Sequence, residues 1–314
     1  MSQINVDDII PQSGSDVNVN GVVIKEINAN NRFILYGGTA FTPNASTGNN
    51  ITIVGSRAMP VNTGNSNTAI GSNALRNNST GSNNTSLGKD ALFNNTTGSS
   101  NSALGEAALY TITTGSNNIA IGQQALYQNN GSENVCIGNS AGFITTGSYN
   151  VIIGTSSGAL ITTGSNNVCL GDDTQTATPT TSNSITLGNG SHNVLRCNVT
   201  SITSLSDERD KKDIKDLGIG LEFVKALRPV EFTWDDRDEK GKHDVDDFGF
   251  IAQDLKKAQE DAEKAEVLKL VYDENPEKLE ASYGKLIPIL VKAIQELSSE
   301  VKSLKEELET LKNK

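Results

Sequence analysis

Thr114-Gly115-Ser116-Asn117-Asn118-Ile119-Ala120-Ile121-Gly122-Gln123-Gln124-Ala125-Leu126 decides the fold, because near copies of it recur along the chain. Gly115 belongs to the series Gly64, Gly81, Gly98, Gly115, Gly131, Gly147 and Gly164, spaced 17, 17, 17, 16, 16 and 17 residues apart. Seven residues after each comes a second glycine: Gly71, Gly88, Gly105, Gly122, Gly138, Gly154 and Gly171. Three residues after each comes an asparagine: Asn67, Asn84, Asn101, Asn118, Asn134, Asn150 and Asn167. A fixed period of this kind identifies a solenoid, whose units are stable only when stacked. Triplets such as Ile119-Ala120-Ile121 and Val151-Ile152-Ile153 suit short strands. The glycines permit the corners through positive φ, and the recurring asparagines suit a ladder or a bond to the turn backbone.

The pairs Ala74-Leu75, Ala91-Leu92, Ala108-Leu109 and Ala125-Leu126 supply an opposite wall. The middle residue of each triplet is mostly small (Ala69, Ser86, Ala103, Ala120, Cys136, Cys169, with Ile152 the exception), which suits a tight interior. The two cysteines are fillers of this column, two coils apart and too distant for a disulfide. Residues 183–188 read as a degenerate last unit. Phe93, Tyr110, Tyr127 and Phe143 share one place, five residues after the second glycine. Facing outwards, this column is a candidate receptor contact that stacks on sugar rings. Facing inwards, it packs over the coil's own corner or between chains.

Ahead of the repeats, residues 17–24 and 32–36 carry short alternating runs, with Asn20-Gly21 placed as a hairpin turn. This segment is either a docking module or a β-cap for the solenoid. The hydrophobic share of 35% and aromatic share of 5% are low for one large core, so repetition or association must supply the burial. A net charge of -11 argues against nucleic acid or an anionic membrane as the main partner. The opening residues lack the layout of a secretory leader, and no apolar run approaches the ~20 residues of a membrane span. Synthesis in the cytoplasm without membrane insertion is therefore expected. Cys136, Cys169 and Cys197 lack metal-ligand spacing, and neither a metal nor another cofactor is expected.

At Ser206 the chain changes character: six Lys and Arg precede it and twenty follow. Residues 219–227 suit a short helix stopped by Pro229. Residues 230–234 and 248–252 read as strands joined by an acidic loop, and residues 253–266 as a charged helix. At the end, Ile287, Ile294, Val301 and Leu308 alternate with Leu290, Leu297, Leu304 and Leu311 at the a and d positions of a heptad. Glu300 and Glu307 sit to reach Lys305 and Lys312 of a neighbouring helix. Pro288 falls in the first turn, where it is tolerated. A parallel coiled coil follows, and β-branched a with Leu at d leans by itself towards two strands.

The Thr-Gly-Ser-Asn-Asn…Ile-Gly…Ala-Leu pattern of residues 64–188 resembles the head repeats of trimeric bacterial adhesins and similar repeats in phage tail fibres. This resemblance implies a trimeric left-handed parallel β-roll whose apolar strand faces meet at a threefold axis. A second resemblance rests on four motifs: Ser206-Asp207-x-Arg209-x-Lys211, Leu227-Arg228-Pro229-Val230-Glu231-Phe232, Gly249-Phe250-Ile251-Ala252-Gln253 and Tyr283-x-x-Leu286-Ile287-Pro288. These are similar to the intramolecular chaperone domain of phage tailspikes, the peptidase S74 or endosialidase-type family. Such domains align three fibre chains and commonly release themselves by cutting just before the motif's serine. Together the resemblances favour a trimer over the dimer of the heptad rule.

The expected fold is mainly β: an N-terminal β module (1–50), a parallel solenoid (51–190), a linker (191–205), an α+β chaperone domain (206–283) and a trimeric coiled coil (284–314). By the family pattern Ser206 is the nucleophile, Lys211 the base, and Leu205-Ser206 the cleavage site. The Ser206 hydroxyl can reach the Leu205 carbonyl through a five-membered ring, and a lysine can take its proton when neutral. Asp207 and Arg209 are expected to hold the loop by ion pairing. Family members often carry a histidine just ahead of Gly-Phe-Ile-Ala-Gln, whereas here Asp247-Phe248 precedes Gly249 and the nearest histidine is His243. Enzymatic activity is thus expected to be at most one self-cleavage per chain. The implied protein is a homotrimeric virion tail fibre, docked by its N-terminus to a baseplate, tail or adaptor protein and adhering to a host polysaccharide or receptor. A glycan-degrading tailspike is the first alternative, though the repeats offer only scattered carboxylates where a paired set is required. A bacterial trimeric surface adhesin is the second.

Overall fold

The computed structural model describes residues 17–19, 22–27, 32–35, 45–189, 191, 206–235 and 243–313. Cys197, the expected linker beyond Ser191, and Leu205 lie outside them. The chain divides into two compact units, Met1–Asn189 and Gly190–Lys314.

In the first unit, β1 (Val17–Val19) and β2 (Val22–Ile27) pair antiparallel with Val19 opposite Val22, while Asn20-Gly21, the expected turn, lies outside the described residues. β3 (Arg32–Leu35) pairs antiparallel with β2 and then parallel with β5 (Thr52–Val54). Two further short strands, β4 (Ala45–Ser46) and β6 (Val61–Asn62), form their own parallel pair. From β5 the sheet runs in parallel through β7 (Thr68–Ile70), β8 (Thr85–Leu87), β9 (Ser102–Leu104), β10 (Ile119–Ile121), β11 (Val135–Ile137), β12 (Val151–Ile153), β13 (Val168–Leu170) and β14 (Ile185–Leu187). The solenoid is therefore continuous with the N-terminal hairpin strands. Its first coil starts at Gly48 and Gly55, one period ahead of Gly64. That coil is hard to see in sequence because Ile51 stands where the asparagine belongs and Met59 where the leucine belongs; both are buried.

The asparagine ladder is present and wholly buried. Each member accepts from the backbone N–H of the next, as when Asn101 N donates to Asn84 Oδ1 at 2.9 Å and Asn118 N to Asn101 Oδ1 at 3.0 Å. Each also donates across to the following coil, as Asn84 Nδ2 does to Gly98 O at 2.9 Å. Buried backbone groups at the corners are satisfied in this way. A second ladder, not foreseen, runs through Asn62, Asn78 and Asn95, with Asn95 Nδ2 donating to Asn78 Oδ1 at 2.7 Å. It stops at Ile112, which cannot donate, and Asn95 Oδ1 is left without a partner among the described residues.

The core runs down the solenoid between the triplet centres and the opposite wall, both buried. Volume is traded across it. Where the triplet centre is Ala69, Ser86, Ala103 or Ala120, the wall carries Leu75, Leu92, Leu109 or Leu126. Where the centre grows to Cys136 or Ile152, the wall residue becomes Gly142 or Gly158. A Cβ on Gly142 would lie 2.8 Å from Cys136 Sγ, and one on Gly158 2.8 Å from Ile152 Cδ1. Interiors packed near crystal density require such compensation. Cys136 and Cys169 are buried free thiols, as the column predicts.

The second unit is small and α+β. α1 (Leu221–Ala226) is followed by a hairpin of β15 (Pro229–Asp235) and β16 (His243–Phe250), then α2 (Ala252–Asp261) and α3 (Ala265–Leu268). A short pair, β17 (Val271–Tyr272) and β18 (Glu280–Ala281), precedes α4 (Leu286–Lys312). Phe223, Leu255, Leu268, Leu270, Leu286 and Ile289 form its core. The expected second strand begins earlier, because the acidic run bonds across the hairpin: Thr233 Oγ1 donates to Asp246 at 2.7 Å and Trp234 Nε1 to Asp247 at 3.0 Å. Ile251 ends it, and Ala252 already opens α2. The expected charged helix is broken at residues 262–264 into α2 and α3.

α4 has two faces. Near its start Leu286, Ile289 and Ala293 are buried against the unit's core. All eight heptad residues are exposed, from 41% at Val301 to 67% at Ile294 and Leu311.

Candidate self-cleavage site

Ser206 opens the first continuous described stretch of the second unit, and a 3-10 turn over Glu208–Asp210 follows it. Asp207 starts that turn as an N-cap, its Oδ1 accepting from the Arg209 backbone N–H at 2.9 Å. The Arg209 guanidinium returns to the same carboxylate, Nε to Oδ1 at 3.0 Å and NH2 to Oδ2 at 2.6 Å. The Arg209 side chain, then its backbone N–H, hold the Asp207 carboxyl below the usual carboxylate range, and Arg209 is correspondingly raised by Asp207. The pair fixes the turn and makes no hydrogen bond to Ser206 among the described residues.

That turn folds the chain back so that Lys211 Nζ donates to Ser206 Oγ at 2.7 Å and to the Ser206 carbonyl at 3.0 Å. The Ser206 hydroxyl and the Lys211 amine are thus within proton-transfer reach of each other. Ser206 and Lys211 are both exposed in the single chain. Leu205, which would provide the carbonyl under attack, lies outside the described residues. So does the side chain of His243, whose backbone begins β16. Phe248, at the place just before Gly249, is 81% exposed.

The aromatic column forms as a stack. Phe93 to Tyr110, Tyr110 to Tyr127 and Tyr127 to Phe143 have ring centroids 5.0, 5.1 and 5.1 Å apart, with interplanar angles of 15°, 4° and 3°. All four rings are half-buried, and the faces of Tyr110 and Tyr127 are turned to their neighbours. Arg76, unnoticed in sequence although it is five residues after Gly71, closes one end with its guanidinium 5.6 Å from the Phe93 centroid. Another contact missed in sequence is that of Glu296 on α4, whose carboxylate accepts from the Leu221 backbone N–H at 2.7 Å and so caps α1. Gly220 leaves the space for it.

A parallel solenoid is thus followed along the chain by a small α+β unit that carries a hydrogen-bonded serine and lysine ahead of α1. Residues 206–264 match the Peptidase_S74 family, the chaperone of endosialidase. The match begins at Ser206 itself and ends before α3. The C-terminal unit therefore carries a chaperone-of-endosialidase domain. No curated protein and no solved structure matches the chain.

Proposed function

We propose that this protein is a trimeric virion tail fibre whose C-terminal domain assembles the chains and then releases itself by cutting between Leu205 and Ser206. The 2.7 Å bond between Lys211 Nζ and Ser206 Oγ, at the first residue of the matched domain, carries this reading. Trimerisation is supported by the exposed a and d stripe of α4, and by the placing of Glu300 and Glu307 to meet Lys305 and Lys312 of a second copy. The strand face of the solenoid is apolar as well: Leu87, Leu104, Ile119, Ile121, Ile153 and Leu170 are all exposed on it. Three copies joined at α4 hold these faces at high effective concentration.

In the cleavage step the Ser206 Oγ bonds to the Leu205 carbonyl carbon while its proton passes to a neutral Lys211. Collapse of the ring breaks the Leu205–Ser206 C–N bond, and the Ser206 nitrogen takes that proton as it becomes a free amine. Water then hydrolyses the resulting ester, releasing the Leu205 carboxylate and restoring the hydroxyl. The N-terminus attaches the fibre to a baseplate, tail or adaptor protein, and the solenoid contacts a polysaccharide or receptor on the host.

Denaturing mass spectrometry tests the step directly. Wild type is expected to yield two fragments divided at Leu205-Ser206, while Ser206→Ala and Lys211→Met each remain intact. An intact wild-type chain in a native trimer would end the cleavage reading and leave the assembly reading standing.

A further inference from the structure

Each coil turns a corner two residues after its first glycine. The residues there, Asn50, Ser66, Asn83, Ser100, Asn117, Glu133, Tyr149 and Asn166, together with Asn183 two residues after Thr181, all take left-handed φ between 55° and 63°. Short polar side chains visit that region readily, but for a bulky residue it is an outlier. Tyr149, at φ 63°, is the one aromatic in the column. The left-handed leucines of the solenoid wall are compensated by complete burial. Tyr149 has no such compensation. It is 58% exposed, and its side chain enters no ring contact or hydrogen bond among the described residues. An exposed aromatic held at such a φ points to a position used by something outside the chain.

The surroundings indicate what that is. One coil back in the same column stands Glu133, also left-handed and exposed. One coil forward stands Asn166, exposed, with its Nδ2 donating to Asn183 Oδ1 at 2.8 Å. The ring therefore rises from a strip of carboxylate and amide groups with no apolar rim in its own column. An aromatic anchor for a protein partner sits instead within an apolar centre. A nucleic acid requires cations, and the charge in this column is Glu133. In the aromatic stack Tyr110 and Tyr127 present ring faces to other rings, whereas the face of Tyr149 is free.

We infer that Tyr149 is the stacking point of a binding site for a neutral saccharide, with Glu133 and Asn166 taking hydrogen bonds from or giving them to its hydroxyls. A sugar offers a C–H face to an aromatic ring and hydroxyls to the polar groups beside it, and a tyrosine serves both. Glu133 disfavours an acidic sugar. This inference rests on the adhesive part of the proposed function and locates it on a different column from the stacked rings.

The test presents the full-length protein to an array of neutral and acidic bacterial surface oligosaccharides and to whole bacteria. Tyr149→Asn restores the residue type common in the column, so it is expected to fold and to melt no earlier than wild type. Its binding to neutral oligosaccharides is expected to fall at least about tenfold, the scale of one aromatic anchor, while Tyr149→Phe keeps most of it. Tyr149→Asn binding as well as wild type would overturn the site and leave the adhesive reading standing. Wild-type binding confined to acidic oligosaccharides, or to a protease-sensitive partner on the cells, would overturn the neutral-saccharide assignment alone. Wild type that binds neither array nor bacteria would overturn both.

Discussion

Within the solenoid Ile112, Leu126 and Ile152 are fully buried among residues of their own chain, whereas along α4 Ile294, Leu297 and Leu304 stand in solvent. Both stretches are periodic and both are apolar on one side. They differ in where the complementary surface is found. A coil meets its partner 16 or 17 residues away, because the chain itself returns one strand spacing further on. A heptad helix never returns along itself, and its a and d side chains need another helix. One region thus completes its core within a chain, and the other presents an apolar stripe that the described residues of its own chain leave exposed.

The comparison can be broken most severely at α4. Leu297→Asp with Leu304→Asp is expected to abolish the proposed trimer, reading as a monomer by native mass spectrometry, without removing the solenoid's circular-dichroism signal. An unchanged trimer would show that α4 is not where the copies join.

A smaller effect sharpens the solenoid side. Gly142→Leu places a side chain against Cys136 and is expected to cost about 1–3 kcal/mol by overpacking, read as an earlier unfolding midpoint. Adding Cys136→Ala reproduces the composition of the coil at Ala120 and Leu126 and is expected to recover most of the loss. Losses that merely add would refute the volume trade.

The smallest effect concerns the two thiols. Burial pushes Cys169 up to about 11, and Cys136, with Cys169 nearby, higher still. Both are expected to resist alkylation at pH 8 in the native protein and to react in urea. The native thiols keep protons that the unfolded chain loses, so stability falls as pH rises through the window from about 9 to about 11. Rapid native alkylation of either would show that the column is open.

The regular part of this fold is legible because each signal repeats: glycine, asparagine and triplet recur in register, and their physical roles follow one coil at a time. The exchange of Leu126 for Gly142 against Ala120 for Cys136 is not legible in the same way. It links positions on opposite walls and appears only when the two are seen touching. The coil at Gly48 escapes because Ile51 replaces the ladder residue. At the site, Ser206 and Lys211 are readable as a pair because one local turn joins them. The direction of the aromatic rings is a matter of side-chain torsion, which spacing does not report. Likewise the acidic run before Phe248 looks like a loop until Asp246 and Asp247 are seen to accept bonds across the hairpin.

The second glycine of each coil carries one more consequence. A Cβ on Gly71 would overlap the carbonyl of Gly88, one on Gly88 that of Gly105, and one on Gly105 that of Gly122. From Gly55 to Gly154 each glycine in the column is required by the glycine that follows it, so no coil there can drift alone. Loss or duplication of a complete unit, by contrast, sets glycine against glycine again with no contact to reinvent. The length of this segment is therefore a counted quantity. A gene encoding it can lengthen or shorten the protein in steps of one strand, by recombination between its own repeats, while the chemistry at either end stays untouched.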